Sequence, residues 1–555
     1  MPTVTLNKTV FEKLVGKKLP LKQLKERIAM MGTDLEGIEG DEIHVEIFPN
    51  RPDWLSEQGF ARSFSSFIGI KTGLRNYTVK KSGLKVVVDK SVAMRPFTAC
   101  ALVKNITFSD ERIREIMQMQ EKLATTHGRS RKKSAYGIYP ADNITFPVTY
   151  IAKDPKTVQF QPLGFNKKIR ADKTEELHET GKKFKYVAEE WKKQGYKKYP
   201  FFIDAKNNAM CMLPYTNSDD TGRVTTKTKN VFIECTGTSL ENVTIALNIF
   251  ATMFADMGGE IHSLDIQYPD KTITTPNLTP KKVKFQLDYI NKRLGLNLKE
   301  KEAKILLEKM GFGYEKGNVL VPAYRADILH QADFVEDIAI AYGYENFTAE
   351  MPKVATVAQE DPFEKLKVKI ANILAGLQLI EVSSYHLTNK NTITTMMNSK
   401  ATYVELANST SEEYHVLRNQ LTAQLLNILK SNKHNEYPQH IFEIGKTFLH
   451  DKKSDTGVQE PTNLAVALCN PLATYTNARQ IVDYIMRMLN IKYKIEETKH
   501  PSFTGGRVGK IIVNKKMMGL IGEIHPLVLT NFEIECPVST FELNLDTIMC
   551  NINEL

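Results

Sequence analysis

Four carboxylates stand close together in the stretch PAYRADILHQADFVEDIAIAYGY, residues 322–344: Asp327, Asp333, Glu336 and Asp337. From Leu329 onward the apolar residues recur at Phe334, Ile338 and Ala341, with Ile340 beside them, which is helical spacing. On such a helix Asp333, Glu336 and Asp337 fall at i, i+3 and i+4 and share a face. Like charges placed this way repel by roughly a few tenths of a kcal/mol per pair, and by more if desolvated. A cation nearby would relieve them. Asp327, just ahead of the helix, can turn toward the same point. An oxygen-only set with no His or Cys selects a hard cation, and a few carboxylates plus waters suit Mg²⁺ better than Ca²⁺. Two plainer readings compete. Acidic residues in a first helical turn complement the helix dipole without any metal, and Arg325 can pair with any of the four.

The chain that must position these groups has 555 residues, too many for one core, so three to four domains are expected. Its 42% hydrophobic and 25% charged content is that of a globular protein. No run approaches the length of a membrane span, and the N-terminal residues lack the apolar core of a signal peptide. Six cysteines are scattered without a C-x-x-C pair, which fits a reduced, cytoplasmic compartment and suggests neither a zinc site nor a disulfide framework. A net charge of +10 suits a polyanionic partner, although many basic proteins bind no nucleic acid.

Taken in order, residues 1–85 read as a small α/β domain. It has an amphipathic helix in LPLKQLKERIAMMG, a strand in IHVEIFP and a second helix after NRPDW whose Phe residues and Trp54 read as core. Residues 86–268 alternate strands (LKVVVD, ACALVKNITF, VFIECTG) with two helices (ERIREIMQMQEKLATT, LENVTIALNIFATMFADMG). Between them lie the basic run His127–Lys133 and a Lys-rich stretch from Lys167 to Lys198, either of which could meet phosphates or be a solvated loop. YPDKTITTPNLTP (268–280) reads as a linker. Residues 269–350 then form a small unit of two helices and a hairpin, a helix-turn-helix and wing order, ending in the acidic helix. MPKVATVAQEDP (351–362) reads as a second linker. Residues 351–555 carry long helices and a broad antiparallel sheet.

The acidic stretch resembles the R-x-D-I-x-H-x-x-D-x-x-E-D-x-A-x-x-Y-G-Y signature of the phenylalanyl-tRNA synthetase β subunit family, archaeal and eukaryotic type. Arg325, Asp327, Ile328, His330, Asp333, Glu336, Asp337, Ala339, Tyr342, Gly343 and Tyr344 stand at its positions. The likeness runs from Pro2 to about Leu545. It implies an α+β multidomain chain: an editing domain, a small helix-turn-helix-like metal-binding domain, and a class II synthetase-like antiparallel sheet domain without catalytic motifs. It also implies a Mg²⁺ ion on Asp327, Asp333, Glu336 and Asp337 at the contact with an α subunit. The implied assembly is an (αβ)₂ heterotetramer acting on tRNA(Phe), in which α binds ATP and phenylalanine and does the charging.

The strings PLGFNK, MLPYTNSDDTGRVT and NVFIECTGT resemble the family's editing domain, which hydrolyses tyrosine wrongly attached to tRNA(Phe). By that resemblance Asn217, Glu234 and Thr236 line the pocket, and Glu234 reads the phenol. On spacing alone Asn217 reads as a turn residue and Glu234 as an exposed strand residue. The chain departs from the family in SAYGIYPADNI, where Tyr139 replaces a His and Pro140 an Asp. Tyrosine, with a pKa of about 10, is a poor base at neutral pH, though it can still donate a hydrogen bond. In the last domain Arg418 can be read as an ATP-clamping arginine, but KMMGLIGEIHP runs into His525 and Pro526 with no arginine where the third class II motif needs one. Two rivals stay open: a free-standing editing hydrolase, and a scaffold whose editing pocket has decayed.

Overall fold

The computed structural model describes residues 2–352, 354 and 356–553. Lys353 and Ala355, inside the stretch expected as a linker, lie outside the described residues. The chain divides into two compact units, residues 1–351 and 352–555.

The first unit opens with a three-stranded antiparallel sheet in the order Thr3–Asn7, Glu42–Glu46, Asp34–Glu39. Asn7 ends the first strand and starts the helix Lys8–Val15, its side chain accepting from the Val10 amide at 2.9 Å. Gly16, at φ 82°, stops that helix in the left-handed conformation. The helix Glu57–Phe67 is capped by Ser56 and lays Phe60 and Phe64 against Phe11, with ring centroids 5.8 and 5.3 Å apart. Each ring buried in this way stabilises the fold by about 2–3 kcal/mol. Trp54 is buried with them.

A ten-stranded sheet follows. Its order is Thr216–Asn217, Ala209–Met212, Tyr199–Ile203, Val148–Lys153, Val79–Val88, Glu260–Gln267, Phe97–Lys104, Val231–Gly237 and Ser134–Pro140, with Thr272–Thr275 added to Glu260–Gln267. Alternation gives each central strand two faces. Ala99, Ala101, Val103, Ile233 and Cys235 pack under the helices Leu240–Asp256 and Asp110–Thr125. Cys100, Leu102, Phe232 and Tyr139 turn the other way, into a second core with Tyr150 and Phe202. Residues 268–280 are therefore not simply a linker. Thr272–Thr275 pairs antiparallel with Glu260–Gln267, and the Thr275 hydroxyl donates to Cys100 O at 2.7 Å and accepts from its amide at 3.0 Å. The β-branched run favours extended backbone more strongly than the flanking prolines oppose it.

Residues 281–342 add a sheet in the order Lys281–Lys284, Asn318–Val321, Gly313–Glu315, with helices Leu287–Leu294, Glu300–Lys309 and Asp333–Tyr342. Phe312 and Phe285 meet Phe334 at 5.4 and 6.3 Å. One continuous apolar core runs from the N-terminal sheet through Leu240–Asp256 to Phe334 and Ile338.

The second unit is built on a seven-stranded sheet: Ile380–Glu381, Gln439–Lys446, Thr462–Cys469, Val538–Asn544, Lys516–Ile524, Phe503–Val513 and Lys494–Glu497. All pairs are antiparallel except the first. Leu464, Val466 and Leu468 pack against helices Pro362–Gly376 and Tyr475–Met488. Ala465, Ala467 and Cys469 pack against Thr422–Ser431 on the opposite face.

Candidate functional site

On the strand Val231–Gly237, Phe232, Glu234 and Thr236 share a face. The register sets Glu234 opposite Gly137 on one side and Cys100 on the other, and Phe232 opposite Tyr139. Far from being an exposed strand residue, Glu234 is 1% exposed. Its Oε1 accepts from the Tyr139 hydroxyl at 3.2 Å, and its Oε2 has no hydrogen-bond partner among the described residues. Burial pushes its pKa up to about 8, against the opposing pull of Arg95, the Tyr139 hydrogen bond and Arg131. Glu234 is therefore mostly a neutral acid at pH 7. Tyr139 is fully buried, and burial holds its phenol well above the usual tyrosine range. Gly137 makes this meeting possible, since a Cβ there would lie 2.5 Å from both Glu234 Oε1 and the Tyr139 hydroxyl.

Thr236 is tied to a buried arginine that sequence reasoning missed. Arg95 donates through Nε to Thr236 Oγ1 at 3.1 Å, through Nη2 to Thr236 O at 3.0 Å and through Nη1 to Arg131 O at 3.0 Å. It stands in SVAMRPFT, where no pattern marks it. Arg131 corrects the solvated-loop reading of the basic run. Its Nη1 donates to Pro214 O and Tyr215 O at 2.9 and 3.0 Å, and its guanidinium lies 3.9 Å from the Phe184 ring centroid. The turn that brings it inward holds Arg129, Ser130 and Arg131 at positive φ. Asn217 is half-buried on Thr216–Asn217, where its Nδ2 reaches Ile138 O at 3.4 Å. Tyr139, Glu234 and Thr236 thus share one sheet face, and Asn217 joins them through the backbone beside Tyr139.

The acidic stretch is arranged differently from the expected cage. Arg325, its side chain 2% exposed, makes a two-pronged pair with Asp327 at 2.7 and 2.8 Å and donates to Asp337 at 2.8 Å. Its guanidinium lies 4.7 Å from the Phe312 ring centroid. Asp333 Oδ2 ties back to the loop ahead of its helix, accepting from the Leu329 and His330 amides at 2.8 Å each. Glu336 is exposed and accepts from the Tyr344 hydroxyl at 2.9 Å. Among the described residues no set of three or more His, Cys, Asp or Glu is placed to hold a metal. Asp327, Asp333, Glu336 and Asp337 as placed do not fit a Mg²⁺ ion held by all four. The helix begins at Asp333, so Asp337 turns inward and Glu336 outward, and the counter-charge that the repulsion calls for is Arg325. Burial draws Asp327 upward, but the Arg325 charge and hydrogen bond outweigh it and leave this carboxyl below its usual range. At Asp337 burial prevails and the pKa is raised.

Arg418, in the second unit, is 1% exposed. It donates to Glu443 Oε1 at 2.6 Å, to Ser384 Oγ at 2.8 Å and to Lys446 O at 2.8 Å. Its guanidinium is fully engaged inside the domain and does not present a phosphate clamp.

Two family profiles match this chain: "tRNA synthetase B5 domain" over residues 283–344, and "Phenylalanyl tRNA synthetase beta chain CLM domain" over residues 348–545. The mixed α/β units and these two matches define a tRNA synthetase chain. The phenylalanine–tRNA ligase β subunit of Pyrococcus abyssi is 39% identical over 556 residues, covering 98% of this chain and 99% of the relative. That of Pyrococcus horikoshii is 40% identical at the same coverage. The crystal structure of an N-terminal fragment of the Pyrococcus horikoshii phenylalanyl-tRNA synthetase β-subunit superposes with a TM-score of 0.58 at 37% identity, covering 62% of this chain and all of the fragment. The chain belongs to the phenylalanine–tRNA ligase β subunit family.

Proposed function

We propose that this chain pairs with an α subunit in an (αβ)₂ heterotetramer that attaches phenylalanine to tRNA(Phe) in an ATP-dependent reaction in the cytoplasm. The end-to-end likeness to relatives named as β subunits carries this reading. ATP and phenylalanine bind to α. The second unit of this chain contributes structure rather than activation, because Arg418 is sealed in its ion pair with Glu443. Co-expression with a cognate α subunit, followed by size measurement and a charging assay, tests the proposal. A chain that stays alone, with charging by α unaffected by its presence, refutes it.

The pocket around Glu234 adds a second activity to the same reading, hydrolysis of tyrosyl-tRNA(Phe). Water adds to the ester carbonyl, the bond to the ribose oxygen breaks, tyrosine leaves, and the ribose oxygen takes the proton. Glu234 recognises the phenol, and Asn217 and Thr236 line the pocket. The observation favouring tyrosine is a buried carboxyl with one oxygen already on a phenol and the other without a partner among the described residues. A site built to hydrogen-bond a hydroxyl discriminates strongly against the analogue that lacks it. The phenol already present is the protein's own, which also favours the reading of a scaffold whose editing pocket is idle.

A further inference from the structure

We infer that Tyr139 is a built-in stand-in for the substrate's phenol, occupying the Glu234 acceptor and holding the pocket closed to tyrosine. The inference rests on the reading of Glu234 as the phenol-recognising residue. The contact that would identify a substrate tyrosine, a phenol hydroxyl on a buried carboxyl, is already made within the chain at 3.2 Å. The ring that makes it is fully buried. Tyr139 packs on Phe232 at 5.9 Å, and Phe232 is held in turn by Phe146 at 5.6 Å and Phe202 at 6.5 Å. The residue before Tyr139, Ile138, accepts through its carbonyl from Asn217 Nδ2 at 3.4 Å. Tyr139 therefore sits between two of the residues assigned to the pocket, Glu234 and Asn217. Gly137, directly opposite Glu234, keeps side-chain bulk out of the gap that the Tyr139 hydroxyl fills.

A tethered ligand competes at a high effective concentration. The affinity of an incoming ligand is multiplied by the fraction of molecules in which the tether has let go. The ring of Tyr139 must leave a buried aromatic cluster to let go, so that fraction is small. The closed pocket has no role in phenylalanine charging by α. Its consequence is a ligase whose β subunit carries the parts of a tyrosine filter in a shut state.

The test uses the (αβ)₂ holoenzyme with its α sites filled by phenylalanine, comparing wild type, Tyr139→Ala, Tyr139→Phe, Glu234→Ala and the Tyr139→Ala/Glu234→Ala pair. Two quantities are measured: binding of free L-tyrosine, and release of tyrosine from preformed tyrosyl-tRNA(Phe). Tyr139→Ala should bind L-tyrosine at least about tenfold more tightly than wild type, and the added Glu234→Ala should abolish the gain. Tyrosine release should rise in parallel. Tyr139→Phe, which keeps the ring and frees the acceptor, should gain about threefold, and it carries the test if the alanine variant does not assemble. Wild type binding L-tyrosine as tightly as both Tyr139 variants, with Glu234→Ala weakening all of them, overturns the occlusion and leaves the pocket reading standing. Tyrosine binding that responds to neither residue overturns both.

Discussion

Replacing Arg325 with methionine separates an arginine-centred cluster from a magnesium cage. Methionine keeps the apolar stem over Phe312 and deletes the charge. Arg325 is 2% exposed at its side chain and makes three charged hydrogen bonds, two to Asp327 and one to Asp337. Removing one partner of a buried ion pair costs about 3–5 kcal/mol, because the remaining charges stay buried without compensation. Part of that loss is recovered when the carboxyls protonate, and Asp337 already lies above its usual range. The loss should therefore be largest above pH 7 and smaller near pH 5. Lysine will not rescue it, since it cannot make the two-pronged contact to Asp327. Urea unfolding of the first unit, followed in Mg²⁺ and in a chelator, is the assay. The expected result is a loss of about 3 kcal/mol or more for Arg325→Met, with a wild-type midpoint that ignores the chelator. A loss below about 1 kcal/mol, together with a wild-type midpoint that drops when Mg²⁺ is removed, refutes the reasoning.

Glu115 sits under the N-terminal helix Glu57–Phe67, accepting from the Glu57 amide at 3.0 Å and from Gln58 at 3.3 Å, and burial pushes its pKa up to about 8. The native state thus holds a proton that the unfolded chain gives up near 4.5, so stability falls as pH rises from about 4.5 to about 8. Glu115→Gln should flatten that slope and add about 2–4 kcal/mol above pH 8, read from urea midpoints across the range. Gly137→Ala should cost about 1–3 kcal/mol, because its Cβ would strike Glu234 and Tyr139 at 2.5 Å, and thermal unfolding checks it. Arg418→Ala should destabilise the second unit by about 3–5 kcal/mol while leaving the holoenzyme's KM for ATP unchanged, and a rise in that KM would restore the phosphate-clamp reading.

Much of the architecture was legible because its elements carry strong periodicity. The apolar helical spacing of Leu240–Asp256 points to one element type. Thr272–Thr275 escaped because its partner strand is set by tertiary pairing, and proline and threonine on either side look like a linker. The acidic cluster shows what spacing cannot say. Three carboxylates at i, i+3 and i+4 share a face in projection, but burial of one and exposure of another depends on what the helix packs against. That packing is around Phe285 and Phe312. The pair of Tyr139 and Glu234 lies 95 positions apart and is joined only by strand register, so no local pattern could announce it. Arg95 is likewise silent in sequence, an isolated cation whose partners come from residues 131 and 236.

The central claim is that this chain serves phenylalanine charging as a β subunit without performing the activation itself. Phenylalanine-dependent ATP–pyrophosphate exchange, measured for the purified chain alone and after assembly with α, tests it most directly. The account predicts no exchange above background for the chain alone, and exchange with charging of tRNA(Phe) once α is present. Robust exchange by the chain alone would contradict it.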